Sequence, residues 1–255
     1  MLVGSSSPVV FLIPVIPRAL SPDWAATVGQ LEACLHSLIR QSSSRWLALV
    51  ISNDNVASAL PRDHRVKALH FPGAVPDRAS GKDRHAKRLW AASLYLAQNQ
   101  EAFFFRLDAD DLASRRLVRT LNLLRFFGAQ AIQLRAGYYL DLSNGRLGIR
   151  RRWFERFCGS TYGIRITRKE AEQPFERGVS RLQKGLSGRH ADFELSARQL
   201  GKLLFRMRMP LVAYTVNSPS SLSTIKGRER HVREGEELSE RRANKILVKE
   251  FGYAW

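Results

Sequence analysis

Cysteine is scarce in this sequence, and long apolar runs are missing. The 255 residues contain two cysteines, Cys34 and Cys158, whose spacing does not indicate a zinc site. We expect two unpaired thiols in a reducing compartment. No run of eighteen apolar residues occurs, so no transmembrane helix is predicted. The N-terminus has no basic segment before its first apolar stretch, so the pattern predicts a cytoplasmic protein without a signal peptide.

Acidic residues are also in short supply. Forty-one lysines and arginines face twenty-three aspartates and glutamates, which gives a net charge of +18. Thirty-two of the basic residues are arginine, and residues 144–189 alone hold twelve basic and four acidic residues. The electrostatic field of such an excess of positive charge attracts phosphates, acidic glycans, anionic lipid surfaces or nucleic acid. The charge by itself does not choose between these partners.

The first half of the chain alternates apolar segments of strand length with amphipathic helices. Strands are predicted at 9–14, 46–52, 66–71 and 102–107, and helices at 24–39, 83–98 and 114–127. This order predicts an α/β fold with a mostly parallel central sheet flanked by helices. The carboxyl ends of parallel strands share one edge of the sheet, which is where open α/β sheets bind ligands.

The second half has a different pattern, which predicts an α+β elaboration. A hairpin is expected from 131–142 and 146–152 around Asn144-Gly145, because Asn-Gly is a strong turn signal. Further segments predict strands at 159–167 and 211–216, and helices at 190–200 and 234–251. We read the terminal helix as packed on the domain, with membrane docking or dimer formation as the alternatives.

The segment FFFRLDADD is the strongest chemical signal. An apolar strand ends here in three carboxylates, and in an extended chain Asp108 and Asp110 point to the same side. Carboxylate oxygens suit Mg²⁺ or Mn²⁺, which can bridge the two phosphates of a nucleotide-sugar. The alternative is a helix N-terminus capped by Asp111 or Ser114. A D-x-D triplet alone is a weak motif, so its position after the strand carries the argument.

Together, the segments VVFLIPVI, LVISNDN, FFFRLDADD and HADFEL resemble the GT-A glycosyltransferases of the family 2 type, including bacterial rhamnosyltransferase-like enzymes. The resemblance covers residues 8–216 and is strongest over 44–115. It implies an enzyme that moves a sugar from a nucleotide-diphosphate donor to a glycan or lipid-linked acceptor. It also implies one GT-A-like domain over 1–255, with a nucleotide-sugar-binding half (1–128), an acceptor-side half (129–233) and a C-terminal helix (234–255).

The resemblance also implies roles for single residues. Pro14 begins the loop that lines the nucleotide pocket, and Asp54 matches the residue that reads the base. Asp108 matches the position near the ribose, diphosphate and metal, and Asp110 the direct ligand of Mg²⁺ or Mn²⁺. Asp192 matches the general base of inverting members, which deprotonates the acceptor hydroxyl. From the residues alone, Asp54 also suits a plain turn and Asp192 a plain helix N-cap.

One expected metal ligand is missing from the sequence. Related enzymes often carry a further histidine after the helix that bears the base, but the segment VNSPSSLST has none. His231, further along, is the candidate to replace it.

Two groups of basic residues have less defined roles. Lys82, Arg84, Lys87 and Arg88 belong to the helix before the D-x-D strand, and Arg84 or Lys87 would suit a donor phosphate. A solvated basic face is the alternative. Arg150–Arg152 and Arg156, interleaved with aromatic residues, would suit a phosphate-bearing acceptor or peripheral contact with an anionic membrane at its inner face. A solvated loop is the default, and no nucleic-acid-binding signature accompanies them.

Two other functions stay open at this point. A nucleotidyltransferase would use a related sheet, but its first loop should be rich in glycine and basic residues, whereas here it reads PVIPRALSP. A non-catalytic basic protein that binds nucleic acid or anionic membrane is the other alternative.

Overall fold

The computed structural model describes residues 7–77, 81–176, 178–188, 192–218 and 236–254. The strands are β1 (Val9–Pro14), β2 (Trp46–Ser52), β3 (Val66–His70), β4 (Glu101–Arg106), β5 (Leu112–Ala113), β6 (Ala131–Leu134), β7 (Gly137–Asp141), β8 (Leu147–Arg150), β9 (Tyr162–Thr167), β10 (Pro174–Glu176), β11 (Val179–Ser180), β12 (Leu204–Met207), β13 (Val212–Val216) and β14 (Glu236–Glu237). The helices are α1 (Trp24–Ile39), α2 (Gly81–Gln98), α3 (Leu117–Phe126), α4 (Arg168–Glu172), α5 (Arg181–Leu186), α6 (Phe193–Gln199) and α7 (Glu240–Ile246), the last continued by a π-helical segment, Leu247–Phe251.

Seven strands form the central sheet, in the order β12-β6-β9-β4-β1-β2-β3. Every neighbouring pair is parallel except those of β9, which runs antiparallel to both β4 and β6. A second sheet has the order β14-β8-β7-β13-β5, and β10 with β11 forms a small hairpin. The predicted α/β fold with a mostly parallel central sheet is therefore confirmed.

Helices cover the central sheet on both faces, which explains why its strands read as continuous apolar runs. Phe103 and Phe105 of β4 belong to one core with residues of α1 and α3. Ala102 and Phe104 belong to the opposite core with residues of α2, α5 and α6. The second sheet packs against α7 and the π-helical segment in a third apolar cluster. Side-chain alternation along β4 thus sends successive residues into different cores.

The local elements of the first half are close to their predicted bounds. Strands β1 and β2 and helix α1 coincide with the predicted segments, and the remaining elements differ by one to three residues at their ends. The N-cap of helix α1 is Asp23, whose side chain accepts a hydrogen bond from the Ala26 N–H at 2.9 Å.

The expected single strand over 131–142 is wrong. It is divided into β6 of the central sheet and β7 of the second sheet, with a break at Arg135 and Ala136. A ring of Phe154 fills the space at the break, since a Cβ added to Gly137 would lie 2.1 Å from its Cε1 atom. The predicted turn at Asn144-Gly145 is confirmed, because β7 and β8 pair antiparallel across it.

The C-terminal helix is shorter than predicted. Within the expected range 234–251, Glu236 and Glu237 instead form β14, which pairs antiparallel with β8. Helix α7 then begins at Glu240 and packs, with the π-helical segment, on the second sheet. Among the described helices, none is long and apolar enough to cross a lipid bilayer. The predicted division of the chain at residues 128 and 233 stays a prediction.

Candidate functional site

The loops that follow β1, β2 and β4 meet at one edge of the central sheet. The Arg18 N–H donates to Asp54 Oδ2 at 2.8 Å, which joins the loop after β1 to the loop after β2. Lys87 of α2 donates from Nζ to the Val15 carbonyl oxygen at 2.7 Å. Asp108 follows β4 directly and reaches the same helix through its carboxylate. Four separate segments of the sequence are therefore connected at the edge where a ligand was expected.

Asp108 lies at the centre of this connection, and two arginines of α2 hold its carboxylate. Arg88 donates to Oδ1, and Arg84 donates to Oδ2 at 3.2 Å. The Asp108 backbone N–H donates to the Ser160 hydroxyl at 2.8 Å. Burial alone would raise the pKa of this carboxyl, but the nearby guanidinium charges outweigh burial and lower it. Asp108 is therefore an ionised, fully bonded carboxylate.

Arg106, the last residue of β4, is a third arginine beside Asp108. Its side chain is almost entirely buried, it lies 4.5 Å above the ring of Tyr162, and it donates to the Gly188 carbonyl oxygen at 3.0 Å. Arg84, Arg88 and Arg106 form what we call the guanidinium cluster.

The guanidinium cluster keeps buried N–H groups that no described group accepts. These are the Nε atoms of all three arginines and one terminal nitrogen of Arg88, which is completely buried. Buried donors without acceptors are costly, and of the three guanidinium groups it is those of Arg84 and Arg88 that pair with the Asp108 carboxylate. His85 stands next to them, and burial together with the arginine charges lowers its pKa to about 3, so it adds no further charge. The cluster therefore has both the charge and the donors to bind an anion.

The other two aspartates of the motif have different surroundings. Asp111 is completely buried and accepts hydrogen bonds from the Ser160 hydroxyl at 2.5 Å and the Thr215 N–H at 3.1 Å. Burial and the neighbouring carboxylates raise its pKa well above the usual value. The alternative in which Asp111 caps the following helix is wrong, because α3 begins only at Leu117.

Asp110 borders an open cavity of about 300 Å³. The cavity is also lined by Gln30 of α1, Thr215 of β13 and Tyr253. Burial and the charge of Asp108 raise the pKa of Asp110 to about 6. A second cavity, of about 380 Å³, is lined by Asp54, Asn55 and His70 at the end of β2 and β3. Two cavities thus adjoin residues that the sequence selected for the nucleotide and the metal.

Lys87 and Pro14 are both buried at this edge of the sheet. Lys87 is completely buried and also pairs with Asp83 at 2.9 Å, and Arg88 is equally buried. The alternative of a solvated basic face is therefore wrong for these two residues, while the side chain of Arg84 is 36% exposed. Pro14 ends β1 as a buried residue, immediately before the carbonyl that Lys87 holds. Their contact with a donor stays a prediction.

Asp192 is at the N-cap position of α6, but its side chain makes no capping hydrogen bond. The next residue, Phe193, stacks on Tyr162 with ring centroids 3.9 Å apart, and Arg106 contacts the same tyrosine ring. The ring of Tyr162 therefore lies between the start of α6 and the guanidinium cluster. The plain capping alternative is therefore not supported, and the role of Asp192 as base stays a prediction. His190 and His231 lie outside the described residues.

The carboxylates fit a divalent cation only in part. Both oxygens of Asp108 and both of Asp111 accept hydrogen bonds within the protein, which leaves Asp110 as the carboxylate at the cavity. No group of three histidine, cysteine or acidic side chains that could enclose a metal occurs among the described residues. Mg²⁺ commonly binds through one or two carboxylates, with water and substrate phosphates as the other ligands. Asp110 fits such a site, whereas Asp108 as a ligand stays a prediction.

The raised pKa of Asp110 predicts how its replacement changes stability with pH. Between about pH 4 and 6 this carboxyl is protonated in the folded protein and ionised in the unfolded chain, so stability is lost as the pH rises. Asp110→Asn removes this loss. In EDTA, the free energy of unfolding of the variant relative to that of wild type should therefore rise by roughly 2 kcal/mol from pH 4 to pH 7. Urea unfolding at four pH values measures the difference. A difference that does not change with pH contradicts the prediction.

Sequence reasoning missed several residues of this site. Arg106, Ser160, Tyr162 and Thr215 were not selected, although each contacts an aspartate of the motif or its arginines. Arg106 had a usable signal, because it precedes Asp108 by two residues, the spacing that puts two side chains on the same side of an extended chain. Ser160 and Thr215 had none, since their contacts depend on pairing between distant strands.

The chain is similar to known proteins in structure and not in sequence. No protein-family model and no curated protein sequence matches the chain. Among solved structures, residues 1–349 of S. aureus TarS superimpose with a TM-score of 0.51 at 10% identity, covering 95% of this chain and 70% of that one. The Mycobacterium tuberculosis protein Rv0371c in its manganese complex gives 0.39 at 14% identity, covering 82% and 89%. The 4-diphosphocytidyl-2C-methyl-D-erythritol synthase of Anaerococcus prevotii gives 0.42 at 13% identity, covering 88% and 96%. The superposition on TarS shows that the chain has a GT-A-type fold.

Proposed function

We propose that the protein is a glycosyltransferase that moves a sugar from a nucleotide-diphosphate donor to a glycan or lipid-linked acceptor. The observation that supports this most strongly is the guanidinium cluster, which offers buried donors that no described group accepts, beside Asp108 at the carboxyl edge of the sheet. A diphosphate would supply the negative charge and the acceptor oxygens that this cluster lacks. In this proposal the cluster binds the diphosphate and stabilises the negative charge that it gains on departure.

The geometry of the edge supports a proposal for the remaining donor contacts. Asp54 has one oxygen bonded to the Arg18 N–H and borders the cavity of about 380 Å³, where we place the nucleotide base. Lys87 acts indirectly, because it fixes the carbonyl of Val15 and hence the loop after Pro14. Arg84, which is partly exposed, is the member of the cluster that an entering donor meets first.

Asp110 would hold a Mg²⁺ or Mn²⁺ ion together with oxygens of the bound diphosphate. Such an ion supplies Lewis-acid stabilisation of the leaving phosphate. Asp192, which is next to Phe193 on the Tyr162 ring, would remove the proton from the acceptor hydroxyl as that oxygen attacks the anomeric carbon. The bond from the anomeric carbon to the diphosphate breaks in the same step, so the configuration at that carbon inverts.

A thermal-shift screen tests the donor class directly. UDP, GDP, dTDP, CMP and CTP are added with and without Mn²⁺, and we expect one nucleoside diphosphate to raise Tm by about 5 °C near saturation, because a ligand stabilises the state that binds it. Arg84→Gln should reduce this shift by more than half. Arg119→Gln, which removes an exposed arginine on α3, should leave it unchanged.

The alternatives give different results in the same screen. A nucleotidyltransferase should respond to CTP or another triphosphate and not to a diphosphate. A non-catalytic basic protein should respond to none of the nucleotides and should bind DNA or RNA with a steep dependence on salt. Either result contradicts the proposed function.

A further inference from the structure

A second group of arginines surrounds the loop between β8 and β9, and each lies over an aromatic ring. Arg156 belongs to this loop, Arg150 ends β8, and Arg135 lies between β6 and β7. The guanidinium carbons of Arg135 and Arg156 lie 4.6 Å and 4.2 Å from the ring centre of Trp153. That of Arg150 lies 4.1 Å from the ring centre of Phe157. We call these five residues the stacked-arginine cluster. Trp153 is 45% exposed, so the cluster is at the surface.

Stacking prepares an arginine to bind an oxyanion. The guanidinium group is planar, and contact with a ring occupies its face while the N–H donors remain in its plane. Those donors match phosphate oxygens in pairs. Arg135 is also oriented by the buried Glu155, at 3.3 Å. The segment 144–189, which supplies four of the five residues, has eight more basic than acidic residues, so the local field favours an anion.

The cluster is connected directly to the candidate site. The loop that bears Trp153 continues to Cys158, whose Sγ lies 3.5 Å from Asp111 Oδ2. It then reaches Gly159, where an added Cβ would lie 2.7 Å from Asp108 Oδ2. On the other side, the pKa of Glu194 on α6 is lowered by its hydrogen bond with Arg206 and, at longer range, by the charge of Arg135. The cluster therefore flanks the carboxylates on the side of the helix that begins after Asp192.

Trp153 adopts a backbone conformation that its side chain does not favour. Its φ angle is +62°, in the left-handed region where bulky residues are rare, and glycine would adopt it at no steric cost. A tryptophan at such a position costs stability, and outliers of this kind concentrate at functional sites. The ring that holds Arg135 and Arg156 is thus retained at a position where folding alone would favour glycine.

We propose that the stacked-arginine cluster binds a phosphate group on the acceptor, which makes the acceptor a phosphate-bearing glycan or lipid. This inference rests on the proposed function, since it assigns the acceptor side of the same site. Up to three oxygens of a phosphate monoester can accept from several arginines at once, whereas a neutral sugar gains nothing from their charge. The distance between the stacked-arginine cluster and Asp192 then determines which hydroxyl of the acceptor lies near Asp192.

The test measures binding without turnover. The probes are a fluorescent oligosaccharide with one phosphate monoester, the same oligosaccharide without it, and vesicles of phosphatidic acid or phosphatidylcholine, all at 150 mM salt. We expect at least tenfold tighter binding of the phosphorylated oligosaccharide or the phosphatidic acid vesicle than of its neutral counterpart. The better of the two identifies whether the phosphate belongs to a glycan or a lipid. Equal binding of charged and neutral probes overturns the proposal.

Variants separate a specific site from general attraction to a basic protein. Arg156→Gln and Trp153→Gly should each weaken binding of the phosphorylated probe about tenfold, while the control Arg119→Gln changes it less than twofold. Trp153→Gly should also leave Tm unchanged or raised, because it removes the left-handed strain, whereas a merely structural tryptophan would lower Tm on removal. Equal weakening by all three variants contradicts the proposal.

The nucleotide screen keeps this result distinct from the proposed function. If a nucleoside diphosphate stabilises the protein but the two cluster variants bind the phosphorylated probe normally, the acceptor inference fails and the donor assignment stands. If no nucleotide stabilises the protein but probe binding depends on Trp153 and Arg156, the proposed function fails and a phosphate site remains.

Discussion

Asp110→Asn should reduce the release of nucleoside diphosphate from the donor by roughly 10²–10³-fold, because the leaving diphosphate loses several kcal/mol of charge stabilisation. Of the three aspartates in the motif, Asp110 borders the cavity of about 300 Å³, and Asp108 and Asp111 have both oxygens bonded within the protein. The loss should appear in kcat, with Mn²⁺ stimulation abolished. The assay uses the donor identified by the nucleotide screen.

Stability separates this result from unfolding. Asparagine keeps the size of aspartate and relieves a carboxyl whose pKa is raised by burial, so the variant should be at least as stable as wild type at pH 7. Asp63→Asn is the control, since it removes a carboxylate paired with Arg65 near the start of β3. It should keep full activity. Full activity in Asp110→Asn would refute the metal assignment.

Asp192→Asn gives the complementary result. We expect it to reduce transfer by about 10²–10⁴-fold, the usual contribution of a general base. The thermal shift produced by the nucleotide should stay as in wild type, because the proposed function assigns Asp192 to the acceptor, and Tyr162 lies between Phe193 and Arg106. A loss of the nucleotide shift in this variant would place Asp192 in the donor site instead.

Strands β1, β2 and β4 of the central sheet could be predicted because they are buried on both faces. Such strands are continuous apolar runs, and β1 and β2 coincide with their predictions for this reason. The meeting of Asp54 and Asp108 at one edge also follows from parallel order, which the spacing of helices and strands implies. The break between β6 and β7 was not predictable, because it depends on Phe154 filling the space over Gly137, seventeen positions earlier in the chain.

The roles of the three aspartates depend on contacts far away in the sequence. Local pattern makes Asp108, Asp110 and Asp111 nearly equivalent. Ser160 and Thr215, which hold Asp111, are 49 and 104 residues away from it. The arginines that hold Asp108 were visible in the sequence, but their burial was not, since a helix with Arg84, Lys87 and Arg88 at that spacing reads as solvated. The sequence could therefore indicate the candidate site, whereas the different surroundings of its three aspartates could be seen only in the folded structure.

Removing Arg88 should have the largest effect on stability. Arg88→Met takes one of two partners from the buried Asp108 carboxylate, and breaking a buried ion pair in this way typically costs about 3–5 kcal/mol. The control is Arg165→Met, which breaks a pair with Glu101 in which the arginine side chain is 36% exposed, and should cost at most about 1 kcal/mol. Chemical denaturation of both variants measures the difference.

The double variant Arg88→Met/Asp108→Asn shows whether the cluster exists for stability or for ligand binding. With Asp108 neutralised, the loss of Arg88 no longer leaves a buried carboxylate short of a partner, although Arg84 and Arg106 lose the negative charge beside them, so the double variant should recover part of the stability that Arg88→Met loses. It should not recover the thermal shift with the nucleotide, because the donors of Arg88 that no described group accepts are still absent. Recovery of both properties would mean that Arg88 serves only to neutralise Asp108. We expect recovery of stability alone. A protein that needed only a stable core at this position would gain from replacing both charged residues with neutral ones, so the presence of both charges indicates a role in ligand binding.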